Sequence, residues 1–317
     1  MKVLVTGGTG YLGRAVVGAL CASGHDVVLY GRSASRSGLP ATAVDGDVRD
    51  ATRLSDAARG CGAILHSAAL VATWRPRRCD FDEVNVGALQ TILRAAARHN
   101  IRRLVYTSSF LALTPAGLEA APEWNDYQRT KSAANRLAEA AVRQGAPIIR
   151  LYPGVIYGPG AATEGNLVGG MVRDHLAGRL PGVIGGDRIW SFSFVDDVAA
   201  AHVAALEAGT PGARYPLGGV DAPQMRVFDI VRQLTGRAQP RRIPDWLASP
   251  AAFAYELLAE GFRRAPLITT GTLEILLRDW PLGHARASEE LGYRVTPLED
   301  GVARVVQALR GVPAATS

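Results

Sequence analysis

Lys2-Val3-Leu4-Val5-Thr6-Gly7-Gly8-Thr9-Gly10-Tyr11-Leu12-Gly13 opens the chain, and the reading of this stretch decides the fold. A short apolar run of strand character meets a cluster of glycines, and an alanine- and valine-rich stretch of helical character follows over residues 12–23. Gly8-x-Gly10-x-x-Gly13 at such a junction is what a dinucleotide needs. Glycines permit a tight turn and let backbone N–H groups approach a pyrophosphate, which then sits at the positive end of the following helix. Gly7 adds a second spacing, Gly7-x-x-Gly10-x-x-Gly13. A glycine-rich turn without a ligand is the plain alternative, and its place at the first strand–helix junction argues against it.

Working outward, strand-like runs at 2–6, 26–30, 63–66, 104–108 and 147–151 alternate with amphipathic stretches at 12–23, 86–100 and 126–144. That alternation predicts βαβ units and a Rossmann-like, doubly wound parallel sheet of the α/β class. After Pro159 glycine and proline loosen the pattern, leaving helices near 167–176, 197–207 and 298–309. The expected division is a dinucleotide-binding domain over 1–159 and a smaller substrate lobe over 160–317, with 190–208 returning to the first domain.

The chain has 317 residues, 48% hydrophobic and 20% charged, as soluble globular proteins do. No apolar run reaches the ~18 residues of a membrane span. The N-terminus reads as a strand, not as a signal peptide. Cys21, Cys61 and Cys79 form no C-x-x-C pair and read as reduced thiols of a cytoplasmic protein. The net charge of +6 raises the question of nucleic acid. Yet the densest basic runs, Arg75-Pro76-Arg77-Arg78, Arg241-Arg242 and Arg263-Arg264, lack any nucleic-acid signature around them and read as solvated surface. The chain has only two lysines, Lys2 and Lys131.

The second strand runs into Leu29-Tyr30-Gly31-Arg32-Ser33 and offers no carboxylate for a ribose 2′-hydroxyl. Arg32, helped by Ser33, suits a 2′-phosphate instead, so NADP(H) is expected over NAD(H). Asp47, in Gly46-Asp47-Val48, stands where it could meet the adenine amino group or cap the helix from Ala51. Tyr127 and Lys131 are four residues apart, which on a helix puts them on one face. A phenol is a poor base at neutral pH, and a nearby ammonium favours the phenolate. Leu104-Val105-Tyr106-Thr107-Ser108-Ser109 ends a buried strand in hydroxyls at the carboxyl edge of the sheet, where ligands bind in open α/β folds. One of these serines would hold the substrate oxygen for Tyr127. No metal site is expected: the six histidines are dispersed and no H-E-x-x-H or G-x-S-x-G occurs.

Taken in order, several segments resemble the extended short-chain dehydrogenase/reductase superfamily (the NAD-dependent epimerase/dehydratase family), and within it the dihydroflavonol-reductase-like branch. They are Thr6 to Gly13, Gly46-Asp47-Val48, His66-Ser67-Ala68-Ala69-Leu70, Asn85-Val86-Gly87, Tyr106 to Ser109, the Tyr127/Lys131 pair and Tyr152-Pro153-Gly154-Val155-Ile156-Tyr157-Gly158-Pro159-Gly160. Later, Val195-Asp196-Asp197-Val198, Arg214-Tyr215-Pro216-Leu217 and Glu290-Leu291-Gly292-Tyr293 extend the likeness over nearly the whole chain. Ser37-Gly38-Leu39-Pro40 and Tyr152 to Gly160 are especially similar to plant farnesol dehydrogenase-type members.

The resemblance implies that Ser109, not Ser108, is the catalytic serine, with Tyr127 as acid/base and Lys131 also bound to the nicotinamide ribose. It implies that Gly7, Thr9, Gly10, Tyr11, Leu12 and Gly13 hold the pyrophosphate, that Val48, Ala68 and Ala69 run beside the dinucleotide, and that Pro153, Gly154 and Val155 line the nicotinamide. It gives Asn85 an ordering role and suggests a homodimer through helices that include the Tyr127 helix. Asp196 and Asp197 are best explained as helix caps. The interval from Ser109 to Tyr127 is shorter than in the plant reductases, which implies a more open site. Trp190 stands where nucleotide-sugar enzymes of the superfamily carry an arginine for the diphosphate. Trp190 and Phe192 are therefore expected to meet an apolar substrate, with a core role as the alternative. The resulting expectation is hydride exchange between NADP(H) and a terpenoid, steroid or flavonoid-like alcohol/carbonyl pair. A nucleotide-sugar epimerase or dehydratase is the second reading, and a non-catalytic dinucleotide sensor the third.

Overall fold

Val3, Leu4 and Val5 are wholly buried, as an apolar run needs to be when helices cover both faces of its sheet. The structure, a computed structural model, describes residues 1–115, 118–161, 163–262, 266 and 268–311. The chain begins β1 (Lys2–Thr6), α1 (Tyr11–Ala22), β2 (Asp26–Gly31), β3 (Thr42–Asp45), α2 (Ala51–Ala58) and β4 (Ala63–His66). A single turn, α3 (Cys79–Phe81), runs through a π-helical stretch at Asp82–Gly87 into α4 (Ala88–Arg98). Next come β5 (Arg103–Thr107), α5 (Asp126–Arg143), β6 (Ile148–Pro153), β7 (Val155–Tyr157) and α6 (Leu167–Leu176). These are followed by β8 (Val183–Ile184), β9 (Ile189–Phe194), α7 (Val195–Ala208), β10 (Arg214–Leu217), β11 (Val220–Pro223) and α8 (Gln224–Thr235). The last elements are β12 (Arg242–Ile243), α9 (Asp245–Phe262), α10 (Thr270–Leu276), α11 (Ala285–Leu291) and α12 (Leu298–Leu309).

Seven strands form one parallel sheet in the order β10-β6-β5-β4-β1-β2-β3. The chain leaves β1 for β2 on one side and returns to β4 on the other. That reversal opens a crevice at the carboxyl ends of β1 and β4, where open α/β sheets bind ligands. Leu20, Leu29 and Leu206 belong to the core on one face of the sheet, and Leu54, Ile92 and Ala138 to the core on the other. The Rossmann-like, doubly wound architecture follows from these facts.

The chain crosses between the seven-stranded sheet and a second sheet more than once. β7 and β9 join β11 in a second, three-stranded sheet. α7 then packs on α1, and β10 adds the edge strand of the first sheet. The first crossing is Gly154, between β6 and β7. Its N–H donates to Leu217 O at 3.2 Å, and a Cβ there would lie 2.5 Å from Ser191 O. Backbone from both lobes thus closes on this glycine.

Asp196 and Asp197 do not cap a helix. α7 begins at Val195, so both lie inside its first turn, and its N-cap is Phe194. Acidic residues still suit that end of the helix dipole, but Asp197 has a tertiary task. It accepts from Thr296 N at 2.7 Å and Thr296 Oγ1 at 2.8 Å, tying α7 to the approach to α12.

Much of the basic surface is paired. Arg78 binds Asp126 at 2.8 Å, Arg77 reaches Asp80 and Glu83, and Arg242 binds Asp187. Arg263 and Arg264 lie outside the described residues. Among the described residues no helix is long and apolar enough to cross a membrane. The three cysteines are unbridged.

Gly154→Val is expected to cost about 1–3 kcal/mol, the usual range for overpacking a closed site. Urea unfolding monitored by tryptophan fluorescence would measure it. Gly18→Ala, on α1 with open space around the added Cβ, is the matched control and should not destabilise.

Candidate active site

The turn from β1 to α1 is built for close approach. Gly7 has φ +77°, and a Cβ there would lie 2.4 Å from Ala68 N. A Cβ on Gly13 would lie 2.0 Å from Gly7 O, and Gly10 N–H donates to Gly7 O at 2.9 Å. The first helical N–H groups of α1 have no intrahelical acceptor. Gly10, its N-cap, brings no side chain, and the first turn carries no acidic residue. These features fit a pyrophosphate: a cradle too tight for side chains, facing an uncapped helix end. The loop carrying Ala68 and Ala69 is fixed beside it. Ser67 N and Oγ both donate to Thr6 O, at 3.1 and 2.9 Å, and Thr6 Oγ1 bonds His66 Nδ1 at 2.7 Å.

At the end of β2, Arg32 is exposed and makes no ion pair or side-chain hydrogen bond among the described residues. The nearby Asp45 is already engaged, accepting from Ser35 N at 2.9 Å. Asp47 is gripped by Arg49, whose Nε and Nη2 donate at 2.9 and 2.8 Å and hold the carboxyl down at about 2. Asp47 does not cap α2. That role falls to Asp50, which accepts from Arg53 N at 3.0 Å.

α5 starts cleanly because Asn125 caps it, accepting from Gln128 N at 2.8 Å. Tyr127 and Lys131 then project one turn apart towards the end of β5. Lys131 is 3% exposed, and its Nζ donates to Thr107 O at 3.0 Å. Nζ lies 5.4 Å from the Tyr106 ring centre and 6.0 Å from that of Tyr127. Desolvation brings the ammonium down to about 8. Burial pushes the Tyr127 phenol up to about 12, with the nearby Ser109 hydroxyl acting in the opposite direction. The Lys131 ammonium, expected to favour the phenolate, is directed at the Thr107 carbonyl, and burial acts on the phenol in the opposite direction.

Ser109 is 7% exposed, and its Oγ accepts from Leu111 N at 3.2 Å. Ser108 Oγ is buried without a partner. Asn85 clamps the loop after β4 to α5: its amide accepts from Leu70 N at 2.7 Å and donates to Thr130 Oγ1 at 2.9 Å. His66 is buried and stacks on Tyr106, and burial, aided by the Lys131 charge, pulls it down to about 3. It stays neutral and structural at any working pH.

The aromatic side chains beside this group are not the expected ones. Trp190 and Phe192 are 3% and 1% exposed and pack with Val168 and Val227 in the core of the second lobe. On β9 they face α6 and α8, because alternate residues of a strand share a face. Partly buried beside Tyr127 are Phe110, next to Ser109, and Trp124, one turn before Tyr127. Both rings meet Trp280, at 5.3 and 6.2 Å. Val155, which follows the Gly154 crossing, packs on the same cluster. Sequence reasoning missed this trio. Adjacency to Ser109 and Tyr127 signals the first two, whereas nothing local signals Trp280.

Ser109, Tyr127 and Lys131 thus converge at the carboxyl edge of the sheet, beside an aromatic wall and across from the glycine cradle. Such a group can orient a carbonyl or alcohol oxygen and pass a proton to or from it. Residues 3–218 match the model of the NAD dependent epimerase/dehydratase family. The chain is 30% identical to the sterol demethylase protein B of Methylococcus capsulatus, over 92% of this chain and 93% of that one. It is 29% identical to a 2-alkyl-3-oxoalkanoate reductase of Stenotrophomonas maltophilia, over 82% of each. Among solved structures, gox2253 superposes with a TM-score of 0.82 at 28% identity, covering 98% of each chain.

Carbonyl reduction at saturating cofactor is expected to fall as pH rises through about 8, where Lys131 loses its proton. A pH profile of kcat between pH 6 and 10 would read it. Tyr127→Phe should cost roughly 10²–10⁴-fold in kcat, the usual worth of a positioned acid/base, with cofactor affinity unchanged.

Proposed function

The chain belongs to the NAD dependent epimerase/dehydratase family and is an NAD(P)-dependent dehydrogenase/reductase, and we propose that it uses NADP(H) to interconvert an apolar secondary or allylic alcohol and its carbonyl. The observation that carries this reading is the buried Lys131 ammonium on Thr107 O, one turn from Tyr127 on α5 and two residues before Ser109 on β5's outgoing chain. When bound, the nicotinamide supplies or takes up a hydride. Everything else falls to the chain's own residues. Ser109 donates to the substrate oxygen and fixes its direction. Tyr127 gives that oxygen a proton in reduction and removes one in oxidation. Lys131 keeps a positive charge beneath the phenol and binds the nicotinamide ribose.

In this reading the backbone of Gly7, Thr9, Gly10, Tyr11, Leu12 and Gly13 holds the pyrophosphate. Arg32 and Ser33 meet the 2′-phosphate, Asp47 and Val48 the adenine, and Ala68 and Ala69 run alongside. Pro153, Gly154 and Val155 back the nicotinamide. The free guanidinium of Arg32, with no carboxylate at the end of β2, supports NADP(H).

The substrate class rests on Phe110 and Trp124, partly buried beside Tyr127 and backed by the buried Trp280, which give the oxygen-binding group apolar surroundings. The relatives named for sterols and for 2-alkyl-3-oxoalkanoates point the same way. Trp190, buried among apolar side chains, brings no charge for a sugar-nucleotide diphosphate, which weakens the epimerase or dehydratase reading. Family likeness supports a homodimer paired through a surface that includes α5, and the unbridged Cys21, Cys61 and Cys79 support a cytoplasmic protein.

A screen of terpenoid, steroid and flavonoid alcohols and ketones with NAD(H) and NADP(H) separately tests the reading. Preference for NADP(H) is expected. Arg32→Ala should weaken NADP(H) roughly 10–100-fold, the worth of a charge-assisted contact, and leave NAD(H) untouched. Preference for NAD(H) would remove Arg32 from its role. Turnover of UDP-sugars with apolar alcohols and ketones untouched would replace the reading with an epimerase.

A further inference from the structure

Gln128 follows Tyr127 on α5, and its side chain is wholly buried. A buried primary amide is costly unless its donors and acceptors are used. Nε2 donates to Leu111 O at 3.3 Å, and Oε1 accepts from Trp124 N at 3.3 Å. The orientation of the amide is determined, because a flip would set oxygen against oxygen and N–H against N–H. One side chain thus fastens both feet of the segment that joins Ser109 to α5. The Leu111 foot reaches the chemistry: Leu111 N donates to Ser109 Oγ at 3.2 Å. With a lone pair of that oxygen taken by the backbone, the hydroxyl proton is left for Tyr127 or a substrate oxygen.

We propose that Gln128 is a positioning residue, which sets Ser109 against Tyr127 by holding the Leu111 and Trp124 backbone to one point on α5. The inference rests on the roles proposed above for Ser109 and Tyr127. It also explains how the short interval between them leaves the catalytic pair in place: with both feet pinned to one amide, the length of chain between the feet does not set the geometry.

Gln128→Leu removes both bonds. Gln128→Met, close to glutamine in size, also removes both bonds. Both are made in the wild-type and the Ser109→Ala chains and assayed for NADPH-dependent reduction of the best apolar ketone from the screen. In the wild-type chain kcat is expected to fall roughly 10–100-fold, as small misplacements of reacting groups do, with Kd for NADPH within about twofold. In the Ser109→Ala chain the same substitutions are expected to change kcat less than about twofold, since groups acting through one another are not additive. Wild-type kcat in both Gln128 variants, or an equal loss in both backgrounds, would overturn the proposal. Should Gln128→Leu fail to fold, Gln128→Met decides. Amide exchange at Leu111 in the NADP-bound protein gives a readout independent of turnover. Protection should drop at least about tenfold in the Gln128 variants, in keeping with local opening, and unchanged protection would overturn the proposal. A wild-type chain that reduces no carbonyl would reject the redox reading, while the exchange measurement would still decide the role of Gln128.

Discussion

The hydrogen bond from Lys131 Nζ to Thr107 O is the contact on which the site depends. An ammonium out of water is unfavourable unless something answers its charge. Here the answer is the last carbonyl of a central strand, together with the rings of Tyr106 and Tyr127. The bond fixes α5 against the sheet at one register, and that register brings Tyr127 to the end of β5. Desolvation also lowers the ammonium to about 8, so the chain keeps a labile charge next to the proton donor. Arginine could not substitute: its guanidinium is broad, always charged and needs several acceptors. A chain that otherwise uses arginine for nearly all its basic residues keeps lysine at this place.

The rest of the architecture serves this register from two directions. From the first lobe, the glycine turn and the clamped loop after β4 leave a crevice at the switch point of the sheet. From the second, Trp280 meets Phe110 and Trp124, so the aromatic cluster beside Tyr127 forms only when distant parts of the chain come together. The crossing at Gly154 stands between them, closed on by Leu217 and Ser191 from chain segments that arrive later.

The parts that could be read from sequence were those set by local spacing. The strand–glycine–helix junction, the hydroxyls ending β5 and the Tyr127/Lys131 pair each fit within a few residues. The alternation of strands and helices gave the sheet, although β6 runs on to Pro153 because β10 pairs with it there, a long-range fact. Trp190 and Phe192 were legible as aromatics with two possible uses, substrate contact or core. Their side is decided by which face of β9 meets α6 and α8. Thr107 contributes through a carbonyl, which no side-chain motif reports. Gln128 and Trp280 act on partners that only the folded chain brings near. Proximity of Tyr127 to a cation is visible in spacing, whereas burial of its phenol is not.

The two-lysine composition makes the central contact directly measurable. Labelling the lysines with ¹³C at Cε should give two signals, from Lys2 and Lys131, distinguished by a Lys131→Met variant. Titration of the Lys131 signal is expected to show a midpoint near 8. A Lys131 signal that titrated at the ordinary value of a solvated lysine, about 10.4, would show the ammonium in water and contradict the account.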